Sequence, residues 1–433
     1  MKKKLFGTDG IRGLVNHFPI EPNSLVKIAS SIATHFSKGE KLKCIIGKDT
    51  RVSGYMLESA LVSGLLAHDV DIVFLGPVPS PAVSMLTPAL KADFGIMLTA
   101  SHNAYHDNGI KIFDYRGEKL TDEAQDNIEA LFANNQFLLS DKIGKATRLE
   151  DCSGRYIEFV KRTLDSEINF KDMKIVLDTA NGAGYKFAPR ILKELGANVI
   201  TICNEPDGFN INAQCGATHL SKLSEAVLHH SADLGIALDG DADRLAVVDE
   251  TGQLVSGEHI FAALLEYKNA DKCVVTNVTN PGFLTYCSRN NIEAFISNVG
   301  DREVLALMRE KGCKVGGEPS GHFILLDHLS SSDGMISALQ ILSYLIKTKK
   351  RASDLNTLFP LMNTFEKKIL IEKSFSNTDI NTYVTQNADI KNPYLIRKSG
   401  TENALRLYMW GESLEKESGV LISQVEEFLE RLN

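Results

Sequence analysis

Hydrophobic and polar positions follow a recurring unit along this chain: a short apolar, β-branched run, a loop rich in Gly, Asp and Asn, and a segment with helical periodicity. Apolar residues at the spacing of one helix face predict a helix ahead of the first strand: Leu25, Ile28, Ile32 and Phe36. Apolar runs predict buried strands at 44–47, 72–75, 94–98, 174–177, 234–238 and 273–275. Strands that alternate with helices are typical of α/β proteins, so we predict related α/β domains in tandem.

The C-terminal part of the chain has a different pattern. Residues 394–397 and 405–409 predict two strands that flank a short loop. A final helix then places four apolar residues on one face: Leu421, Val425, Phe428 and Leu432. We therefore expect a small α+β unit at the end of the chain. The polar stretches 140–154 and 365–378 are the candidate linkers between units.

The composition is that of a soluble globular protein, with 43% hydrophobic and 24% charged residues. The length of 433 residues suggests three domains at about 150 residues each, or four if some are small. The net charge of -8, without a long basic block, argues against nucleic acid as the main partner. We find neither an apolar stretch of the ~20 residues that span a bilayer nor room for a signal peptide after residues 1–4. The seven cysteines form no C-x-x-C pair, which favours thiols in a reducing cytoplasm.

The loop after the predicted strand 94–98 is the first candidate for chemistry. Ligands of open α/β sheets bind at the carboxyl ends of strands, and Ser101 lies there. Donors and acceptors surround it: His102, Asn103, Asp107, Asn108 and Lys111. A turn with local caps is the alternative. A hydrolase triad is disfavoured, because neighbouring side chains in an extended loop point apart and no G-x-S-x-G elbow surrounds Ser101.

The loop after the predicted strand 234–238 carries three aspartates at alternate positions. A modest curl would aim Asp239, Asp241 and Asp243 at one hard cation. A calcium-binding EF-hand is disfavoured, because Arg244 occupies the position where that loop needs Gly. A solvated acidic turn is the other alternative, but three crowded carboxylates repel one another. We predict a metal site that suits Mg²⁺ bound to a phosphoryl group.

Two further loops carry groups that recognise anions or sugars. Residues 318–322 combine a carboxylate, a hydroxyl and an imidazole, which can bind sugar hydroxyls. Residues 397–401 offer a guanidinium, two hydroxyls and consecutive backbone N–H groups, a cradle for a phosphate to which Arg406 can add. For both loops, an ordinary turn is the alternative interpretation.

The four loops, in this order, resemble those of the α-D-phosphohexomutase superfamily over essentially the whole chain. Residues 99–111 resemble its phosphoserine loop, 239–244 its metal loop, 317–322 its sugar loop and 397–401 its phosphate loop. The resemblance implies four domains around a central cleft: three related α/β domains with mixed sheets and a smaller C-terminal α+β domain. Each domain carries one loop, and the expected boundaries are 1–150, 151–255, 256–366 and 367–433.

Within the superfamily, softer motifs resemble the bacterial phosphoglucosamine mutases more than the phosphomannomutase/phosphoglucomutases. They lie at 6–13, 210–212 with 215–218, and 299–302. The chain departs from the common pattern at Ala104, Pro319, Lys398 and Asn403. Ala104, Lys398 and Asn403 stand where proline is common, and a lost proline frees the backbone, so these three bear on loop rigidity. Pro319, at a variable position, and Lys398 also bear on substrate preference.

The resemblance implies an enzyme that interconverts glucosamine 6-phosphate and glucosamine 1-phosphate, for UDP-N-acetylglucosamine and cell-wall synthesis. It implies a phosphoserine at Ser101, a bisphosphorylated sugar intermediate and a sugar 1,6-bisphosphate activator. One Mg²⁺ would be held by Ser101, Asp239, Asp241 and Asp243. The other implied catalytic residues are Arg12, His102, Lys111, Arg244 and His322. The implied substrate-binding residues are Arg302, Glu318, Ser320, Arg397, Ser399, Gly400, Thr401 and Arg406.

Alternatives remain open at this point. The same chemistry would serve a phosphomannomutase/phosphoglucomutase, since the two activities differ at the 2-position of the sugar. A sugar-phosphate-binding regulator without turnover is disfavoured, because a binder has no need of the nucleophile Ser101. A Mg²⁺ phosphatase is a further alternative. The partner is expected to be a small hexosamine phosphate, and a homodimer is left open.

Overall fold

The computed structural model describes residues 5–7, 9–37, 39–138, 140–371, 375–398, 404–412 and 414–431. The first domain is a seven-stranded mixed sheet with helices on both faces. Its strands are β1 (Phe6–Gly7), β2 (Gly10–Leu14), β3 (Leu42–Lys48), β4 (Val70–Pro77), β5 (Phe94–Leu98), β6 (Asp107–Asp114) and β7 (Ala146–Arg148). Its helices are α1 (Pro22–Phe36), α2 (Gly54–Leu66), α3 (Ser80–Ala89) and α4 (Asp122–Asn134).

The second domain has a five-stranded mixed sheet. Its strands are β8 (Lys174–Asp178), β9 (Asn198–Ile202), β10 (Leu234–Leu238), β11 (Leu245–Asp249) and β12 (Leu254–Val255). Its helices are α5 (Cys152–Lys161), α6 (Phe187–Glu194) and α7 (Ser221–His230), and a 3₁₀ turn spans Ala183–Tyr185.

The third domain has a four-stranded mixed sheet and the C-terminal domain a three-stranded antiparallel sheet. The third domain contains α8 (Gly257–Lys268), β13 (Lys272–Thr276), α9 (Pro281–Arg289), β14 (Glu293–Ser297), α10 (Asp301–Lys311), β15 (Val315–Gly317), β16 (Phe323–Leu325), α11 (Gly334–Thr348) and a 3₁₀ turn at Ala352–Thr357. The C-terminal domain contains β17 (Thr364–Leu370), α12 (Asn377–Asn387), β18 (Tyr394–Lys398), β19 (Ala404–Trp410) and α13 (Leu414–Arg431).

One strand order recurs in the first three domains. The sheets contain β6-β5-β3-β4, β11-β10-β8-β9 and β16-β15-β13-β14. In each set the last three strands are parallel and the first is antiparallel to its neighbour. The predicted fold class, with three related α/β domains and a smaller C-terminal α+β domain, is therefore confirmed.

The buried apolar side chains show how the domains associate. One core runs through the first three domains and includes Ile45, Ile236 and Val275. The C-terminal domain has a separate core, to which Leu407 and Val425 belong. The C-terminal sheet and helices therefore pack as a unit of their own.

Each predicted strand lies within an observed one, and the predictions omit the antiparallel strands β6, β11 and β16. The predicted linker at 365–378 is wrong, because it contains most of β17. The predicted linker at 140–154 lies after α4, leads into α5 and contains the short strand β7, which pairs with β4. The proposed boundary between 366 and 367 falls inside β17, and the other boundaries stay predictions. Leu432 of the predicted final helix lies outside the described residues. Among those that are described, no helix is long and apolar enough to cross a bilayer.

Candidate active site

Ser101 lies in the loop that joins β5 to β6, and its side chain points into the interface with the second domain. Its backbone is left-handed, with φ of 50°, and the residue is fully buried. The hydroxyl donates a hydrogen bond to Asp239 Oδ2 at 2.7 Å. His102 Nδ1 lies 3.4 Å from the same hydroxyl. The structure thus brings the predicted nucleophile directly to the predicted metal loop.

The aspartate loop joins β10 to β11 at the facing edge of the second sheet. Asp239, Asp241 and Asp243 are all buried, and each offers a carboxylate oxygen within 4.8 Å of the others. Lys111, on β6, donates to Asp241 Oδ2 at 2.8 Å and to Asp243 Oδ2 at 2.7 Å. Asp241 Oδ1 is buried and has no hydrogen-bond partner among the described residues. An orphaned carboxylate oxygen beside two further carboxylates fits a hard divalent cation, which prefers oxygen ligands.

Burial and neighbouring charges set the protonation of this cluster. Burial, reinforced by Asp243 and Asp241, raises the pKa of Asp239 to about 7. Burial alone would also raise the pKa of Asp243, but Lys111 and His322 hold it well below its usual range. Burial opposes the charged form of Lys111, but Asp241, Asp243 and Asp9 raise its pKa well above the ordinary value. Lys111 therefore stays positively charged. A second cation near Asp239 would stabilise its ionised form and so lower its raised pKa.

Two arginines flank the serine and aspartate loops. Arg12 donates to the carbonyl oxygen of Ala100 at 3.3 Å and pairs with Asp9. The Arg244 backbone N–H donates to Asp239 Oδ1 at 3.2 Å, and its guanidinium Nε lies 3.9 Å from Asp239 Oδ2. Burial, with Arg244 and Arg12 nearby, lowers the pKa of His102 to about 3. His102 is therefore a neutral imidazole beside the serine hydroxyl.

The sugar loop joins β15 to β16 and is tied to the aspartate loop through His322. His322 contacts Glu318 Oε2 through Nδ1 at 2.9 Å and Asp243 Oδ1 through Nε2 at 3.0 Å. Although burial and Arg244 oppose protonation, these two carboxylates raise the pKa of His322 to about 10. Glu318 also accepts the backbone N–H of Gly300 at 2.9 Å. Ser320 Oγ lies 3.4 Å from Glu318 Oε2.

The C-terminal domain contributes two arginines to the same cleft. Arg397 on β18 and Arg406 on β19 are directly paired across the antiparallel ladder. Arg406 forms an ion pair with Glu366 at 3.3 Å, and Arg397 Nε is buried without a hydrogen-bond partner among the described residues. Two neighbouring guanidinium groups, of which only Arg406 is paired with a carboxylate in the described part of the chain, favour an anion. Ser399, Gly400 and Thr401, predicted with them, lie outside the described residues.

A cavity of about 550 Å³ lies where the four domains meet. Its lining includes Asp9, Arg12 and His102 from the first domain and Thr218 and Arg244 from the second. The third and C-terminal domains contribute Glu258, Val278, Val299, Gly300, Asp301, Glu318, Pro319, Ser320, His322, Thr364, Glu366, Arg397, Arg406, Tyr408 and Trp410. The predicted central cleft is therefore present, and each of the four domains contributes at least one charged side chain to it.

Family comparisons give matches along most of the chain. Residues 3–139, 154–252 and 256–362 match phosphoglucomutase/phosphomannomutase, alpha/beta/alpha domains I, II and III, respectively. A curated relative from Nautilia profundicola, named phosphoglucosamine mutase, is 44% identical over 99% of this chain and 100% of its own length. The chain belongs to the phosphoglucosamine mutase family. The predicted resemblance to the phosphohexomutases is confirmed.

Solved structures share the fold of this family member. A phosphoglucomutase/phosphomannomutase family protein from Burkholderia thailandensis has a TM-score of 0.82 at 22% identity, covering 96% of this chain and 95% of its own. The Aspergillus fumigatus N-acetylphosphoglucosamine mutase in complex with GlcNAc-6P and magnesium has a TM-score of 0.66 at 16% identity. That match covers 99% of this chain and 96% of the other. At these identities the likeness concerns the fold alone.

In this phosphoglucosamine mutase family member, buried polar side chains that sequence reasoning missed hold the serine loop. Arg51 is 1% exposed, and it donates to the carbonyl oxygens of Ser101 at 3.0 Å and Asn103 at 2.8 Å. Its Nε is paired with Asp49 at 2.8 Å. Asn212 Nδ2, from the second domain, reaches the same two carbonyl oxygens at 2.9 and 3.0 Å. The only sequence signal for Arg51 is its place after the predicted strand 44–47, at the same sheet edge as Ser101.

Arg302 is the predicted site residue that the structure places elsewhere. Its guanidinium pairs with Asp122 at 2.7 Å and Glu303 at 3.1 Å, and it is absent from the described lining of the cavity. The preceding residue, Asp301, does line the cavity and pairs with Lys119 at 2.6 Å. Arg302 therefore joins the third domain to the first in this structure, and its substrate-binding role stays a prediction.

Proposed function

We propose that this family member is a phosphoglucosamine mutase, which interconverts glucosamine 6-phosphate and glucosamine 1-phosphate. One observation carries the mechanism: the buried hydroxyl of Ser101 lies 2.7 Å from Asp239, within a cluster of three aspartates, beside a cavity with paired arginines at its far side. A serine nucleophile, a cation site and a separate anion site are the parts that a phosphoryl exchange between two ends of one sugar needs.

We propose that Ser101 carries a phosphoryl group in the working enzyme and transfers it to the free hydroxyl of a sugar monophosphate. The bisphosphorylated sugar then turns over in the cavity, and its original phosphate returns to Ser101. A phosphoserine of about -2 beside three aspartates gives about -5 in all. Arg12, Lys111 and Arg244 supply three positive charges around the serine hydroxyl.

These charges leave about -2 without compensation, which a divalent cation, proposed as Mg²⁺, would balance. Asp239, Asp241, Asp243 and the Ser101 side chain would hold it, because their oxygens converge and Asp241 Oδ1 has no partner among the described residues. A bound Mg²⁺ would supply Lewis-acid stabilisation of charge on the phosphoryl oxygens. The magnesium in the Aspergillus fumigatus complex supports this choice of ion.

The sugar and its second phosphate would occupy the remaining part of the cavity. Its volume of about 550 Å³ lies within the ~300–1,000 Å³ range of small-molecule sites. Glu318 and Ser320 present a carboxylate and a hydroxyl to sugar hydroxyls, and Arg397 and Arg406 face the distal phosphate. We expect the predicted loop 399–401 to add backbone N–H donors.

The structure constrains the predicted base. Burial and Arg244 Nε, 3.1 Å from His322 Nε2, oppose the protonated form of His322, but carboxylates at both ring nitrogens favour it and raise the pKa to about 10. A histidine acts as a base only when it is neutral. His322 would therefore accept the proton of an incoming hydroxyl only after it loses contact with Asp243 or Glu318. Asp239 Oδ2, and not His322, accepts the hydrogen bond of the Ser101 hydroxyl in this structure.

The test is a substrate panel followed by ³¹P NMR. The protein is incubated with Mg²⁺, a trace of sugar 1,6-bisphosphate and, in parallel, glucosamine 6-phosphate, glucose 1-phosphate or mannose 1-phosphate. We expect preferential isomerisation of the glucosamine ester. Preference for glucose or mannose esters would favour a phosphomannomutase/phosphoglucomutase, and steady release of inorganic phosphate would favour a phosphatase.

Two variants link the activity to the proposed residues. Ser101→Ala should abolish isomerisation and the incorporation of phosphate into the protein. Asp241→Asn should raise the Mg²⁺ concentration that gives half-maximal activity. Full activity in the first variant would remove the phosphoserine from the mechanism, and an unchanged Mg²⁺ titration in the second would remove the metal assignment.

A further inference from the structure

Two thiols at the carboxyl edge of the second sheet are in contact, and the proposed phosphoryl transfer does not use them. Cys203 directly follows β9 and is partly exposed, whereas Cys215 is fully buried. Their sulfur atoms and a carboxylate oxygen of Asp178, the last residue of β8, all lie within 4.8 Å of one another. Both cysteines are free.

The two thiols differ in reactivity. The neighbouring Cys215 thiol is the main cause that lowers the pKa of Cys203, although burial and Asp178 oppose it. The same contact, together with burial, raises the pKa of Cys215. The thiol that ionises more readily is thus also the one that solvent reaches. An accessible thiolate with a second thiol beside it is typical of oxidation-sensitive cysteines.

We propose that Cys203 and Cys215 form an intramolecular disulfide when the protein meets hydrogen peroxide. The Cys203 thiolate attacks one peroxide oxygen, an S–O bond forms, the O–O bond breaks and hydroxide leaves. The Cys215 thiol then loses its proton and attacks the sulfenic sulfur, so that the S–S bond forms and the second hydroxide leaves. Two electrons pass from the thiols to the peroxide, and the two hydroxides take up the two thiol protons as water.

The disulfide would act on the active site through the segment that carries Cys215. Three residues before it, Asn212 holds the carbonyl oxygens of Ser101 and Asn103. Two residues after it, the Ala217 N–H donates at 3.0 Å to the carbonyl oxygen of Leu238, which directly precedes Asp239. A disulfide requires an S–S distance of about 2.05 Å, so closure draws this segment towards β9. Both reactive loops are anchored to the segment that moves.

The chain contains a matched control. Cys273 and Cys287 are also neighbouring thiols, but both are buried, with exposures of 0% and 1%. Trypsin releases each pair within a single peptide, 194–222 or 273–289, because neither stretch contains an internal Lys or Arg. The two pairs can therefore be compared in one digest of the full chain after treatment with peroxide and an alkylating reagent.

We expect peptide 194–222 to lose two hydrogens and to resist alkylation, while peptide 273–289 is alkylated at both thiols. The kcat should fall about 10-fold or more, because misplacement by about 1 Å can cost 100-fold, and dithiothreitol should restore it. Cys203→Ser should keep its activity under peroxide, and Cys203→Ala serves as a second variant.

Three results would overturn the proposal. One is oxidation of Cys203 to a sulfinic acid with Cys215 still free. Another is equal oxidation of the two peptides. The third is a thiol pair that reacts only after a chelator has removed zinc from the purified protein, which would make it a metal site. A disulfide with unchanged activity would overturn the coupling to the active site. Because the peptide masses do not depend on turnover, they remain informative if the proposed mutase activity is absent.

Discussion

Replacement of Lys111 by methionine removes a buried cation that lies among the carboxylates of the site. Lys111 is 1% exposed and lies 2.8 Å from Asp241, 2.7 Å from Asp243 and 3.2 Å from Asp9. Loss of one partner of a buried ion pair costs about 3–5 kcal/mol, because the other charge stays buried and unpaired. We expect Lys111→Met to lose this much free energy of unfolding at pH 8 in the presence of a chelator.

The loss should depend on metal and on pH. A divalent cation at 100 times its Kd stabilises a protein by about 2.7 kcal/mol, and in the variant it also replaces the missing charge. Mg²⁺ should therefore reduce the difference in the free energy of unfolding between the variant and the parent protein. Asp239, with a pKa of about 7, is neutralised as the pH falls. The deficit should consequently be smaller at pH 6 than at pH 8.

Urea unfolding followed by far-UV circular dichroism gives the free energies, with and without Mg²⁺. The only tryptophan, Trp410, lies on β19 of the C-terminal domain, so its fluorescence reports a domain with a separate core. The urea concentration at the midpoint of the Trp410 fluorescence change should be the same for Lys111→Met and the parent protein. Lys48→Met is the matched control, because Lys48 is 5% exposed and, among the described residues, forms its ion pair with Glu58, at 2.5 Å, and lies 3.8 Å from the centre of the Tyr55 ring. Its cost should be the same with and without Mg²⁺.

The reasoning fails if Lys111→Met costs less than about 1 kcal/mol in chelator, which is the range of an exposed ion pair. It also fails if Mg²⁺ stabilises the variant no more than the parent protein. Either result would mean that the three aspartates do not need a cation in the folded state.

Three further substitutions test separate parts of the site. In Gly240→Ala, the added Cβ would lie 2.5 Å from the Ser101 carbonyl oxygen, so we expect steady-state kinetics to show about a 10-fold or larger fall in kcat. Gly419→Ala, with nothing within 4 Å, should leave kcat unchanged. Arg51→Lys should lower kcat by about 10–100-fold, because lysine lacks the planar guanidinium that donates to several carbonyl oxygens at once. Arg116→Lys, on the exposed surface, should leave kcat unchanged. Arg397→Ala should raise KM about 10-fold or more, the equivalent of one charge-assisted hydrogen bond, and an unchanged KM would place the phosphate elsewhere.

The sequence predicts the strands and the loops of the site well, because both are local features. The run 94–98 ends where β5 ends, and 234–238 coincides with β10. The residues that follow these strands, Ser101 and Asp239, then meet at a hydrogen-bond distance. Buried strands have dense apolar runs, and a polar loop directly after one of them is easily recognised.

Contacts between distant segments could not be predicted in this way. Arg51 and Asn212 donate to the same carbonyl oxygens, those of Ser101 and Asn103, but come from different domains. No local pattern indicates where either side chain points. Ser80 is a third example, since its hydroxyl donates to Asp241 from the start of α3. Arg302 is a fourth example, because no local pattern indicates that its guanidinium pairs with Asp122 of the first domain. The linker at 365–378 was misjudged because β17 is an edge strand whose residues are mostly polar and exposed.

The repeated topology explains why the loops converge. In each of the first three domains the functional loop joins the same strand of the shared order to its antiparallel partner: β5 to β6, β10 to β11 and β15 to β16. No single domain holds a balanced set of charges, because Lys111 comes from the first, its aspartate partners from the second and His322 from the third. The second domain alone would hold three carboxylates with only Arg244 beside them, and the first would leave Lys111 with Asp9 but without Asp241 and Asp243. Desolvation of these charges is compensated only when the domains meet, so the electrostatics of the site also favour the assembly of the domains.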